Sequence, residues 1–452
     1  MVVASLMPWL AGCHSGQEGK PVDMQEGAEA ARTPGAFVDA SFRERGPGVT
    51  LAGPAVAAPK DTEDFAFVLP HLLYQIGDWR DSTNSQPFAV EIGDVTRDGK
   101  NDVVLMTLRH GDVPENHSIL IYEQDAYGAL KSPTVHSYMN GAPKWYQSEG
   151  DVALVDVDRD DFLDIVVGFG RRILVMRSTP AGLEEQAYPI SDNADFIRAV
   201  VSLDLDGDND QDLVAFHYGK GATAYYNDGA GGFATSENIL SFIRYSNDVK
   251  VADYSRDGRE DLIVLSGSRS VGKLWIVDFG KRGGIGYDAY PLPPGDTYDG
   301  VAVGEWSGGD LLDVAISTRK NRPVDILLMK QDEGGKLMQP TTLESWEVPS
   351  GMLASDINGD GYVDLFVDHA GWDMGYYLGG PSGLSTERIV NHGRLGGNGF
   401  GSRLLALGDI TGDGCKDIVR AEPTLGLMIY HAKGCRTGAR PTGGVNPPRL
   451  RR

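Results

Sequence analysis

Long apolar runs are missing from this sequence of 452 residues. None reaches the ~18–20 residues that a membrane-spanning helix needs. Positive charge is also short: 41 Lys+Arg stand against 64 Asp+Glu, a net charge of −23. A chain so acidic repels phosphate backbones, which excludes general nucleic-acid binding. Cysteine occurs three times, at Cys13, Cys415 and Cys435. The apolar share of 41% is slightly low for a globular protein but far above that of a disordered one. What the chain has in quantity is glycine, 59 residues, with 24 prolines. That punctuation suits many short strands joined by turns rather than long helices.

Among the turns, one nine-residue pattern recurs. Asp94, Thr96, Asp98 and Asp102 place oxygen side chains at positions 1, 3, 5 and 9. Asp156, Asp158, Asp160 and Asp164 repeat the spacing, as do Asp204, Asp206, Asp208 and Asp212. So do Asp253, Ser255, Asp257 and Asp261, then Asp356, Asn358, Asp360 and Asp364, then Asp409, Thr411, Asp413 and Asp417. Between the fourth and the last two stands a degraded copy with Glu305, Ser307, Gly309 and Asp313. The starts lie 62, 48, 49, 52, 51 and 53 residues apart. A near-constant period of that size marks a repeat architecture, so the usual prior of one domain per ~150 residues does not apply.

A short apolar segment precedes each motif, such as Val152–Val155, and another follows position 9, such as Val103–Met106 or Leu262–Leu265. These β-branched runs read as strands buried on both faces. A third strand follows, for example Ile119–Tyr122 or Leu427–Tyr430, and the remaining residues leave room for a fourth, more polar one. Four antiparallel strands seven times over predict an all-β, seven-bladed propeller. The last repeat lacks a fourth strand of its own. The sequence upstream of the first motif, with Phe65–Leu69 and Leu72–Tyr74, is expected to supply it and close the ring.

The Asp-x-[Asp/Asn/Ser/Thr]-x-Asp-Gly-x-x-Asp loops resemble FG-GAP or VCBS repeats, the type found in integrin α-subunit propellers and many bacterial surface proteins. The resemblance covers roughly residues 65–435. Its naming dipeptides are sparse: Gly141-Ala142-Pro143 occurs once, with Phe169-Gly170, Phe279-Gly280 and Phe400-Gly401. It implies Ca²⁺ in the loops, and the chemistry agrees. Calcium takes six to eight hard oxygen ligands in forgiving geometry, which alternating Asp, Asn, Ser and Thr supply; magnesium resists such full dehydration. The turn needs a left-handed residue at position 6, met by Gly99, Gly258, Gly361 and Gly414, and by Asp161 and Asn209 in two loops. The metal ligands expected are thus the side chains at positions 1, 3, 5 and 9 of six loops. No metal is expected at Glu305–Asp313, where position 5 is Gly309. Six Ca²⁺ would bring the net charge from −23 to −11.

At the N-terminus, Leu10-Ala11-Gly12-Cys13 resembles the lipobox of bacterial lipoproteins, whose cysteine is lipidated, although no Lys or Arg precedes the apolar run. An ordinary cleaved signal peptide is the alternative. Residues 1–13 thus read as a signal segment, 14–60 as a flexible tether, 61–435 as the propeller and 436–452 as a disordered basic tail. In an oxidising compartment Cys415 and Cys435 suggest a disulfide; two unpaired buried thiols are the other reading.

No catalytic constellation can be placed from spacing. The functional expectation is a non-catalytic binding or adhesion module at the cell surface, monomeric, with an unknown protein or glycan ligand. The alternative is a carbohydrate-active propeller, a lectin or polysaccharide lyase, with His369, Trp372, Tyr376 and Tyr377, or Trp145-Tyr146, as weak candidates. A deep axial pocket clustering His, Tyr and Arg would favour the enzyme.

Overall fold

The computed structural model describes residues 65–67, 71–75, 86–108, 117–138, 150–189, 196–268, 271–280, 284–294, 296–318, 324–370, 374–390, 401–423 and 426–436. Seven four-stranded antiparallel sheets form seven blades, each named here by the Asp loop it carries. In blade one the strands are Gln86–Gly93, Asp102–Leu108, Ser118–Tyr122 and Thr134–Ser137, in that order from the inside outward. The Asp loop joins the first strand to the second in every blade. The second strands are the most apolar, and Asp102–Leu108, Asp164–Phe169 and Asp212–His217 are buried along their whole length. The fourth strands are the polar ones, as in Thr235–Ile239, because one face lies open to water. Among the described residues the one helical element is a 3-10 turn, Ser402–Leu404, and no helix is long and apolar enough to cross a membrane.

The core is divided, not central. Seven apolar clusters each draw on two adjacent blades, because both faces of a blade's inner strands must find apolar cover. The seam between blades seven and one is filled like the rest, with Val90, Leu105 and Tyr122 against Ala406, Val419 and Ile429. Closure comes from the N-terminal side, as the sequence led us to expect. His71–Gln75 adds the fourth strand of blade seven by pairing antiparallel with Gly426–Tyr430. Ala66–Phe67 pairs in addition with Ala432–Lys433. Both pairings cover sheet edges that would otherwise be open.

The candidate metal loops

The turn geometry repeats from loop to loop. Position 6 lies at φ between 56° and 92° in all seven loops, including Asp161 and Asn209 as expected from their type. Position 4 is left-handed too, between 59° and 85°, and there three of the seven residues are arginines: Arg97, Arg159 and Arg256. The double twist turns backbone N–H groups toward the position-1 carboxylate. Asp94 accepts from Asp98 N at 3.2 Å and Gly99 N at 2.9 Å, Asp156 from Asp160 N and Asp161 N, and Asp356 from Asp360 N and Gly361 N. Asp409 accepts from Gly412 N and Gly414 N in the same manner.

Position 9 is different in kind. Asp102, Asp164, Asp212, Asp261, Asp313, Asp364 and Asp417 are all fully buried. One oxygen holds the start of the loop, accepting from Val95 N, Val157 N, Leu205 N, Ser255 N, Ile357 N or Ile410 N at 2.7–3.2 Å. In five blades the aspartate also accepts an N–H at or just past the end of the third strand: Ser178, Asn227, Gln331, Gly379 and Ala432. One buried carboxylate thus ties three segments together. Burial pushes the acid up to about 6 for Asp102, Asp164 and Asp212, about 7 for Asp261 and about 8 for Asp364. A cation beside such a group would oppose that push.

The donor set fits calcium in the better loops. Asp156, Asp158 and Asp164 each bring an oxygen within 4.8 Å of the others, and so do Asp204, Asp206 and Asp212. Asp158 and Asp206 are held above the usual carboxylate range by burial first and by their acidic neighbours second. Buried loop oxygens with no hydrogen-bond donor among the described residues occur at Asp102 Oδ1, Asp158 Oδ1 and Asp261 Oδ1, and also at Asp313 Oδ2 of blade five. A buried, donor-less carboxylate oxygen is costly unless something cationic meets it. In blade five, Ser307 Oγ donates to Asp313 at 2.8 Å, Glu305 is raised by burial, and Gly309 offers no side-chain ligand.

Neighbouring loops are latched to one another. In blades two, three and five a residue at or just past the end of the third strand reaches back to the position-2 carbonyl of the previous blade: Ser178 Oγ donates to Val95 O, Asn227 Nδ2 to Val157 O and Gln331 Nε2 to Tyr254 O, at 2.8–3.0 Å. The position-4 arginines reach forward. Arg97 pairs with Asp160 of loop two and stacks on Phe162, Arg159 pairs with Asp210 of loop three, and Arg256 donates to Gly309 O of loop five. None of these latches was apparent from the motif spacing, since their partners lie in another repeat.

The remaining candidates separate cleanly. Cys415 and Cys435 are joined in a disulfide, with Cα atoms 5.7 Å apart, and the next residue, Arg436, donates its N–H to Asn358 O in loop six. His369 is fully buried, held by Glu387 at 2.8 Å and Glu347 O at 3.0 Å, so it serves the packing of blade six. Tyr377 is buried with its hydroxyl on Glu344 O, and Tyr376 packs its ring against Phe65 and Phe67. Cys13, Trp145-Tyr146, Trp372 and the residues beyond Arg436 lie outside the described residues.

On the ring axis the inner strands enclose a cavity of about 840 Å³, lined by Glu91, Asp151, Arg198, Asp248, Lys250, Asp299 and Arg403 among others. Two of its carboxylates fasten adjacent blades: Asp151 accepts from Val200 N at 3.1 Å, and Asp248 from Val301 N at 2.9 Å. Burial pushes Asp151 up to about 7, with Arg403 pulling the other way. Ser402 crosses toward the axis. Its hydroxyl donates to Asp248 of blade four at 2.6 Å and accepts from Met352 N of blade six at 3.1 Å.

Residues 182–264 match the family described as FG-GAP-like repeat, a stretch that spans the third Asp loop and runs into blade four past the next. The chain is a seven-bladed propeller in which the matched stretch carries an FG-GAP-like repeat. Among solved structures it is similar to BBS1N in complex with ARL6DN, at 11% identity and a TM-score of 0.54, with 83% of this chain and 98% of that one covered. It is also similar to the V. cholerae biofilm matrix protein Bap1, at 12% identity and a TM-score of 0.40, with 81% and 91% covered. No curated protein matches the sequence.

Proposed function

We propose that this propeller is a calcium-stabilised, extracytoplasmic binding module, anchored by lipid at Cys13 and presenting its loops to a protein or glycan. The observation that carries the reading is the convergence of carboxylate oxygens within 4.8 Å in Asp156, Asp158 and Asp164 and in Asp204, Asp206 and Asp212. Calcium would be held by the side chains at positions 1, 3, 5 and 9 of the six complete loops, where it supplies charge neutralisation and no reaction chemistry. The chain's own residues do the rest. Position 9 fixes the turn, and the Ser178, Asn227 and Gln331 latches pass its stiffness to the next blade. The axial cavity supports binding over catalysis, because Asp151 and Asp248 are committed to fastening blades. The disulfide agrees with an oxidising compartment. The resemblance of BBS1N, solved in complex with ARL6DN, supports a propeller that serves as a docking platform.

Melting the full chain in EDTA and in millimolar calcium tests the metal: a higher Tm with calcium is expected, and no rise removes it. A screen against glycans and proteins, with and without EDTA, tests the binding role, which falls if the chain captures nothing in either condition. Cys13→Ser should move the protein from the membrane fraction to the soluble one; unchanged partitioning ends the lipid-anchor reading.

A further inference from the structure

The seam between blades three and four carries an aromatic patch that the metal loops do not use. Each first strand runs into its Asp loop, so the hairpins between second and third strands, and the links between blades, lie on the opposite rim. Tyr218 sits in one such hairpin, and Phe242 and Tyr245 in the link between Thr235–Ile239 and Ser246–Ala252. The Phe242 ring lies 4.5 Å from Tyr287, tilted by 32°, and 5.2 Å from Trp275. Tyr218 meets Tyr245 at 5.2 Å. All four outer rings, Tyr218, Phe242, Tyr245 and Tyr287, are 38–54% exposed. Single exposed rings are ordinary, but here one short link supplies a ring to each of two exposed pairs, Phe242 to Tyr287 and Tyr245 to Tyr218.

The link holds an unfavourable backbone to present them. Leu240 and Tyr245 are both left-handed, at φ 52° and 58°, a region bulky side chains avoid. The bend is pinned by Ile243 N donating to Leu240 O and Gly267 N to Tyr245 O. Gly221 makes it possible, since a Cβ there would stand 2.5 Å from Leu240 O.

The patch also departs from the charge of the whole. The chain carries −23, yet residues 213–227, 238–247 and 262–277 contain no Asp or Glu, and they contribute Lys220, Arg244, Arg269 and Lys273. Lys273 Nζ lies 5.1 Å from the Trp275 ring centroid, and Arg198 stands 6.0 Å from that of Tyr218. In the outer hairpin of blade four, Lys273, Trp275 and Tyr287 share one face, while Asp288 points to the other and pairs with Lys336. On the facing strand Glu237 accepts the Tyr226 hydroxyl at 3.5 Å.

We propose that this seam binds an anionic polysaccharide. Its sugar rings would stack on the two aromatic pairs while carboxylate or sulfate groups meet Arg244 and Lys273. A protein anchor would call for a deep desolvated pocket. These rings offer open faces beside cations instead, which suits a polar chain with apolar ring faces and a negative rim. The inference rests on the binding-module reading and gives it a surface and a ligand class.

The test uses the full chain in fixed millimolar calcium, with Kd measured on immobilised hyaluronan, dextran sulfate, neutral dextran and polyglutamate. Binding to hyaluronan or dextran sulfate, which tells carboxylate from sulfate, with none to neutral dextran, is expected. The F242S/Y287S variant should bind at least tenfold more weakly at unchanged Tm, and R244Q/K273Q should weaken binding and flatten its salt dependence. Absence of binding to both anionic glycans overturns the proposal. So does equal binding to polyglutamate with F242S/Y287S unaffected, which would mean charge alone. If that variant still captures a partner found in the wider screen at full strength, this seam is wrong while the binding module stands. A wild-type chain that binds nothing anywhere removes both.

Discussion

In blade two, Asp156, Asp158 and Asp164 converge within 4.8 Å; in blade five, Glu305, Ser307 and Gly309 hold positions 1, 3 and 5, and the serine hydroxyl bonds to Asp313. Yet both loops are left-handed at positions 4 and 6, and both bury the position-9 aspartate completely. The comparison separates two jobs that one motif combines. Position 9 with the two left-handed residues builds the turn, and positions 1, 3 and 5 add the capacity for metal. Blade five keeps the first job and substitutes hydrogen bonds for the second.

The largest effect should come from removing position 9 in either blade. Asp164→Ala strips the acceptor from Val157 N and Ser178 N, and Asp313→Ala does the same to Gln331 N and Ser307 Oγ. Leaving two buried donors unmet costs about 2–6 kcal/mol, and urea unfolding in EDTA should register similar losses in both. Blade five behaving as though Asp313 were dispensable would break the division. Next comes Asp158→Asn, which should forfeit about 2.7 kcal/mol of calcium-dependent stabilisation at a hundredfold excess over Kd while changing little in EDTA. Ser307→Ala should cost about 1 kcal/mol with or without calcium. A crystal grown in calcium should show metal about 2.3–2.6 Å from the oxygens of Asp356, Asn358, Asp360 and Asp364, and none at Glu305–Asp313.

The gentlest probe is pH. Burial lifts Asp364 from 3.8 to about 8 and Asp261 from 3.8 to about 7, so the native state keeps protons that the unfolded chain releases. Stability in EDTA should therefore fall as pH rises from about 4 toward about 8, and Asp364→Asn should flatten the slope. Calcium needs the ionised carboxylates and should counter the decline. A slope of opposite sign in EDTA, traced to Asp364, would mean that its hydrogen bonds from Ile357 N and Gly379 N outweigh its burial.

The repeat, the strand order and the N-terminal closing strand were legible because each depends on local pattern. Apolar runs flank Asp164 and Asp261 at fixed offsets, and Asp161 or Asn209 can replace glycine at position 6 by its own chemistry. What stayed hidden depends on the neighbouring repeat. Nothing in the spacing of Asp94–Asp102 says that Arg97 will twist left-handed and reach Asp160, or that Ser178 will reach back to Val95. Position 9 was readable as an oxygen donor, but not as the group that ties three segments, since its second partner arrives about 14–18 residues later. Ser402 bridging blades six and four needed the ring itself to be visible. The aromatic link at Phe242 and Tyr245 lies between repeats, where the motif spacing carries no signal.

The closing strand has a mechanical meaning. Tension applied to the chain upstream of residue 65 enters the ring through Ala66–Phe67, which pairs with Ala432–Lys433, and His71–Gln75, which pairs with Gly426–Tyr430 of blade seven. Beside those partners sits the Cys415–Cys435 bond, which ties the last strand to loop seven, while Arg436 fastens the same end to loop six. A pull on the N-terminal strands thus works against strand pairing to a partner segment that is itself braced at two loops. Where the two ends of the ring meet, strand pairing makes the closure and a covalent bond braces its C-terminal side.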